Sequence, residues 1–90
     1  MTESQIERAA CRALWQMGWL TPKQNGFVGI PDRLMIGPRG QLFWVEFKKP
    51  GGQLRPAQIR MIEKLRALGQ TVLVSYDAQT VIDYARTLSA

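Results

Sequence analysis

The sequence predicts an α/β domain, a mixed β-sheet flanked by helices in the order α-β-β-β-α-β-α. Three observations carry this reading. Apolar residues recur at helical spacing in three separate stretches. Apolar, β-prone runs occupy residues 31–36, 41–48 and 71–76. Between the first two runs stands Gly37-Pro38-Arg39-Gly40, a hairpin signal. At 90 residues, the chain has the length of one small domain, 1–90, with a thin core.

Thr2-x-x-Gln5 has the form of a capping box, and Ile6, Ala9, Ala10, Ala13, Leu14 and Met17 repeat on one helical face. This predicts a helix over about 3–17, stopped by Gly18. Glu7 lies about 60° from Ala10 and about 20° from Leu14 on the wheel, at the border of the buried stripe. Residues 19–21 read as a short strand and 22–29 as irregular loop.

The hairpin can be placed in register. Pro38 suits the first position of a type I turn and Gly40 the left-handed position of a three-residue loop. That pairs Gly37 with Gln41, Ile36 with Leu42, Leu34 with Trp44, and Asp32 with Glu46. Asp32, Glu46 and Lys48 then share one face of the sheet, and Phe43, Val45 and Phe47 the other. A slip of one residue would part the two carboxylates.

Residues 49–53 form a flexible loop. Pro56 opens a helix whose apolar face is Ala57, Met61, Ile62, Leu65 and Leu68, ended by Gly69. Gln58 falls within that face, where an amide needs a partner. Residues 71–76 read as a central strand. Asp77 caps a last helix with the stripe Val81, Tyr84, Ala85 and Leu88.

Composition narrows the chemistry. The chain has no histidine and one cysteine, Cys11. This excludes an internal disulfide, a multi-cysteine zinc site and every histidine-based catalytic device. No apolar run approaches the roughly 18 residues of a membrane span. The polar start, Met1-Thr2-Glu3-Ser4-Gln5, is unlike a signal peptide, so a reducing cytoplasm is the expected setting. The net charge is +5, and residues 48–66 alone carry six basic groups against Glu63. A basic segment so localised points to a polyanionic partner, although such a run also suits a solvated helix face.

Two facing carboxylates repel unless one is protonated or a cation lies between them. Asp32 opposite Glu46 therefore points to a hard divalent ion, Mg²⁺ or Mn²⁺, held by oxygen. Lys48, on the same face, would stand beside that ion and neutralise charge developing on a phosphate. Alone, Glu46-Phe47-Lys48 would be an ordinary surface ion pair. The register, Gln58 and the basic segment raise it above that.

Gly29-Ile30-Pro31-Asp32 followed by Glu46-Phe47-Lys48 resembles the motif of the PD-(D/E)XK nuclease superfamily. More closely, the chain is similar to VRR-NUC domains, which carry a helix Glu, a G-x-P-D strand, an E-x-K strand, a K-x-P-G-G-like loop and a Gln on the next helix. These match Glu7, Gly29 to Asp32, Glu46 to Lys48, Lys49 to Gly52, and Gln58, so the resemblance covers about residues 3–76. Arg55 departs from it by adding charge. The resemblance implies a restriction-endonuclease-like core and Mg²⁺- or Mn²⁺-dependent hydrolysis of DNA phosphodiester bonds. It implies that Asp32, Glu46 and the Phe47 carbonyl ligate the metal, with Glu7 direct or through water. Lys48 is then the catalytic lysine, and Gln58 a hydrogen-bonding member of the site. Minimal viral or bacterial members of this type suggest a homodimer acting on branched DNA such as four-way (Holliday) junctions, in a bacterial or phage-infected cell. Lys49, Arg55 and Lys64 are the expected DNA contacts, and Trp15 is the expected interface residue. The competing reading is a non-catalytic nucleic-acid-binding or structural subunit of a phage replication machine.

Overall fold

The computed structural model describes residues 1–89. Helix α1, Glu3–Gln16, starts with the expected reciprocal cap. The Gln5 N–H donates to Thr2 Oγ1 at 3.1 Å, and the Thr2 N–H to Gln5 Oε1 at 2.8 Å. The chain leaves α1 through Gly18 at φ +87°.

Strands β1 (Arg33–Ile36) and β2 (Leu42–Phe47) pair antiparallel, with Ile36 opposite Leu42, Leu34 opposite Trp44 and Arg33 opposite Val45. This is the register the turn predicts. Gly37 N–H donates to the Gln41 carbonyl at 2.8 Å, Gly40 N–H to the Gly37 carbonyl at 3.0 Å, and Gly40 takes φ +81°. Continuing the ladder by one residue sets Asp32 opposite Glu46.

Helix α2 (Pro56–Ala67) crosses over to β3 (Val72–Ser75), which lies parallel to β2, and α3 (Ala78–Ser89) closes the described chain. The sheet order is β1-β2-β3. Asp77 caps α3 as expected, its Oδ1 accepting the Thr80 N–H at 2.7 Å.

The strand expected at 19–21 is realised as two isolated antiparallel bridges to β1, Leu20 with Ile36 and Lys23 with Arg33. Pro22 explains the interruption. Leu20 and Ile36 exchange both backbone hydrogen bonds, and the Leu34 N–H reaches the Pro22 carbonyl. Pro22 has no N–H to return to Leu34, so the ladder breaks there.

One face of the sheet carries the main core. Met35, Phe43, Val45 and Phe47 are fully buried against Ile6, Ala10 and Leu14 of α1, Val81 and Ala85 of α3, and Trp19. Phe43 makes edge-on contacts with Trp19 and Tyr84 at 5.5 and 4.9 Å between ring centres. α2 covers the opposite face, where Ile62 and Val72 are buried outside that cluster. Leu68, expected on the apolar face of α2, is instead 78% exposed. The helix ends at Ala67, so Leu68 enters the turn before Gly69 and its side chain leaves the stripe.

Candidate active site

The site is assembled where the hairpin meets the first turn of α2. Glu46 is the next-to-last residue of β2, and alternation turns it away from the aromatic core toward α2. It is only 2% exposed, an unusual position for a carboxylate. Gln58 supplies the hydrogen bond, its Nε2 donating to Glu46 Oε2 at 2.9 Å. The same amide is held from behind, because Gln58 Oε1 accepts the Arg55 N–H at 2.8 Å. The polar residue in the apolar face of α2 is thus a bridge between the helix start and Glu46.

Lys48 lies on the same face, its Nζ 3.6 Å from Glu46 Oε2, with a side chain 11% exposed. Both partners of Glu46 therefore approach one oxygen. The other, Oε1, is buried and has no hydrogen-bond partner among the described residues. Burial, and then the neighbouring Asp32 charge, push the Glu46 carboxyl up to about 7, with Lys48 opposing. Asp32 is also raised, chiefly by burial, while the Phe47 N–H on its carboxylate pulls the other way.

Phe47 adds a backbone group. Two residues beyond the Arg33–Val45 pair, the register sets Pro31 opposite Phe47. The Phe47 N–H goes to Asp32 Oδ2 at 2.8 Å. Pro31 has no N–H, so the β1 side of the ladder offers the Phe47 carbonyl no donor. Asp32, the orphaned Glu46 Oε1 and this carbonyl are the oxygens that could hold a hard cation such as Mg²⁺ or Mn²⁺. Among the described residues no three Asp, Glu, Cys or His side chains converge as a metal-holding group. An ion here would rely on two carboxylates, the backbone carbonyl and water, and Mg²⁺ ordinarily keeps several waters.

Helix α1 approaches with two carboxylates. Glu7 Oε2 accepts Arg33 Nε at 2.7 Å and has Lys23 Nζ at 3.9 Å. The Arg33 guanidinium also donates to the Thr21 carbonyl at 2.8 Å. Glu7 is thus engaged by cations, although its charge acts on Asp32. Glu3, one turn earlier, raises both Asp32 and Glu46. Sequence reasoning misses Glu3 and Arg33. The i, i+4 spacing of Glu3 and Glu7 is the signal that could have revealed the first. Arg33 becomes visible only once the hairpin is set beside α1.

The structure thus brings together Asp32, Glu46, Phe47, Lys48 and Gln58. Lys49, Arg55 and Lys64 are exposed beyond the site. Among the described residues none of the three forms a side-chain ion pair. No described helix is long and apolar enough to cross a membrane.

No family model matches the sequence. The chain is 34% identical over 84 residues to "Putative nuclease p44" of Acyrthosiphon pisum secondary endosymbiont phage 1, covering 89% of this chain and 90% of the relative. It also superposes on a solved VRR-NUC domain with a TM-score of 0.83 and 30% identity, covering 96% of this chain and 97% of that one. A fold shared over almost the full length of both chains, with this level of identity, leads to one conclusion: the chain belongs to the VRR-NUC family of nuclease domains.

Proposed function

We propose that the protein is a Mg²⁺- or Mn²⁺-dependent endonuclease that hydrolyses DNA phosphodiester bonds, acts on branched DNA such as four-way junctions, and works as a homodimer. The observation that carries the reading is the buried, unpartnered Glu46 Oε1 on the face shared with Asp32 and Lys48. A carboxylate oxygen left this way is costly unless a proton or a cation completes it.

Asp32, Glu46 and the Phe47 carbonyl would hold the ion, with Glu7 able to contribute directly or through water and Glu3 adding to the negative field. When bound, the metal polarises the scissile phosphate and lowers the pKa of the attacking water. Lys48 places an ammonium beside the reacting phosphate, where it stabilises charge as the bond breaks. Gln58 fixes the Glu46 carboxylate by its doubly anchored amide. Lys49, Arg55 and Lys64 bind neighbouring phosphates.

The junction preference and the dimer rest on the family and on the surface of α1. Trp15, on the side of α1 away from the core, is 66% exposed. A two-fold dimer built on such a surface sets two active sites on two strands.

The test is incubation with linear, forked and four-way-junction DNA in Mg²⁺, Mn²⁺ or EDTA. Metal-dependent nicking, strongest on the junction, is the expected result. Absence of cleavage on all three substrates with either metal overturns the reading.

A further inference from the structure

A second feature lies against the candidate site without belonging to it. Residues 26–30 form an exposed turn, closed by the Ile30 N–H donating to the Phe27 carbonyl at 3.2 Å. Phe27 is 72% and Val28 82% exposed, two apolar side chains presented to solvent side by side in sequence. The turn is seated on α2. Gly29, at φ +83°, packs so closely that an added Cβ would stand 2.3 Å from the Ala57 carbonyl oxygen. Only glycine meets both demands.

Between this turn and α2 lies a groove of about 230 Å³, lined by Val28, Ala57, Met61, Arg60 and Lys64. Its floor is aliphatic and its wall carries two cations. Neither Arg60 nor Lys64 has an ion pair or hydrogen bond from its side chain among the described residues. The volume is below the roughly 300–1,000 Å³ of sites for drug-sized ligands, so the occupant is smaller. The aliphatic lining and the two cations ask for an apolar surface joined to negative charge, which a nucleobase with its phosphate provides. A second copy of this chain fits poorly. A two-fold contact here would set Arg60 and Lys64 against their own equivalents on a chain already at +5.

The groove also has a fixed relation to the candidate site. The turn leads through Ile30 and Pro31 directly into Asp32. Ala57 immediately precedes Gln58, which holds Glu46. Both walls of the groove are therefore covalently continuous with residues of the site.

We propose that the turn at 26–30 and the facing surface of α2 capture an unpaired nucleobase beside the scissile phosphate. Val28, Ala57 and Met61 give the base aliphatic contact in the groove. The exposed ring of Phe27, on the same turn but outside the groove lining, supplies the aromatic face for stacking, and Arg60 and Lys64 take the adjoining phosphates. This deepens the nuclease reading and rests on it. A continuous duplex keeps its bases stacked and paired, whereas a bulge or fork presents an unpaired base and the branch point of a junction opens one at lower cost than a duplex interior. The groove thus converts unpaired bases into substrate preference without reading sequence.

The test uses the full chain and two DNAs, a duplex with one unpaired thymine and the same duplex without it. Affinity is measured in EDTA and cleavage in Mg²⁺. The wild type binds the bulged DNA about tenfold more tightly, a gain in the range of one stacked base. The double variant Phe27→Ala, Val28→Ser reduces that ratio to near one, and thermal melting confirms its fold. With 5-iodouracil at the unpaired position, photocrosslinking maps to the turn. Equal affinity for the two DNAs, or a preference kept by the double variant, overturns the groove while metal-dependent cleavage leaves the nuclease reading standing. Loss of a dimer in the double variant, with the bulge preference intact, assigns the surface to a second copy and also overturns it. If neither DNA is cleaved, the nuclease reading fails, and the affinity arm still decides the groove.

Discussion

Asp32 Oδ2 accepts the Phe47 N–H at 2.8 Å, across the hairpin from Glu46. β1 begins only at Arg33, so at this point a side chain replaces the backbone partner that a longer strand would provide. One carboxylate oxygen is thereby committed to structure, and the carboxylate is fixed opposite Glu46. The same contact joins the two halves of the candidate site, because Phe47 separates Glu46 from Lys48.

This contact separates the structural and chemical roles of Asp32. Asp32→Ala leaves the Phe47 N–H without its acceptor and should lower stability by about 1–3 kcal/mol in urea unfolding. Asp32→Asn keeps an acceptor oxygen and removes the charge that repels Glu46, so it should be less destabilising than Asp32→Ala. Both should abolish cleavage. Equal stability losses in the two variants would show that the hydrogen bond contributes nothing.

The carboxylates also set a pH dependence. Glu46 titrates near 7 in the folded protein against 4.5 in an unperturbed chain, and Asp32 is shifted the same way. The folded state therefore binds more protons than the unfolded state in this window, and stability should fall as pH rises from about 4.5 through about 7. Metal-free protein should unfold at lower urea at pH 8 than at pH 5. Glu46→Gln should flatten this slope and be the more stable form at pH 8. A wild-type slope of the opposite sign would refute the raised carboxyl.

Lys48→Ala should lower cleavage by more than tenfold, over about 1.4 kcal/mol of barrier, while the fold persists. It also removes the charge that holds the Glu46 carboxyl down, so the pH-dependent loss of stability should move to higher pH. A variant retaining more than a tenth of the wild-type rate would take Lys48 out of the mechanism.

DNA affinity should weaken steeply with salt, because each phosphate contact releases counterions. Lys49→Gln, Arg55→Gln and Lys64→Gln should each flatten log K against log salt by roughly one unit. An unchanged slope in Lys64→Gln alone would confine the grip to the loop after β2. Unchanged slopes in all three would move the DNA to the Arg8 and Arg12 face of α1.

The features legible in the sequence are local or tied to a turn. Pro38 and Gly40 set the hairpin register, and the register alone is enough to bring Asp32 opposite Glu46. Gln58 is conspicuous as an amide in an apolar face, and its partner is Glu46. Less legible are contacts between elements distant in sequence. Arg33 reads as a strand residue, yet it spans from Glu7 to Thr21 because three segments converge there. Leu68 reads as part of a helical stripe, but α2 stops one residue short of it. Pro22 reads as the start of a loop, whereas it interrupts a fourth strand.

That interruption bears on how the molecule behaves in a crowded solution. An open sheet edge invites another chain to add to it, and growth along that route ends in aggregates. Beyond β1 the backbone is irregular at Pro22, charged at Lys23, and has its Thr21 carbonyl already taken by Arg33. An incoming strand finds few free groups in register there. On this side, a thin-cored protein is thus protected against polymerisation by its own backbone.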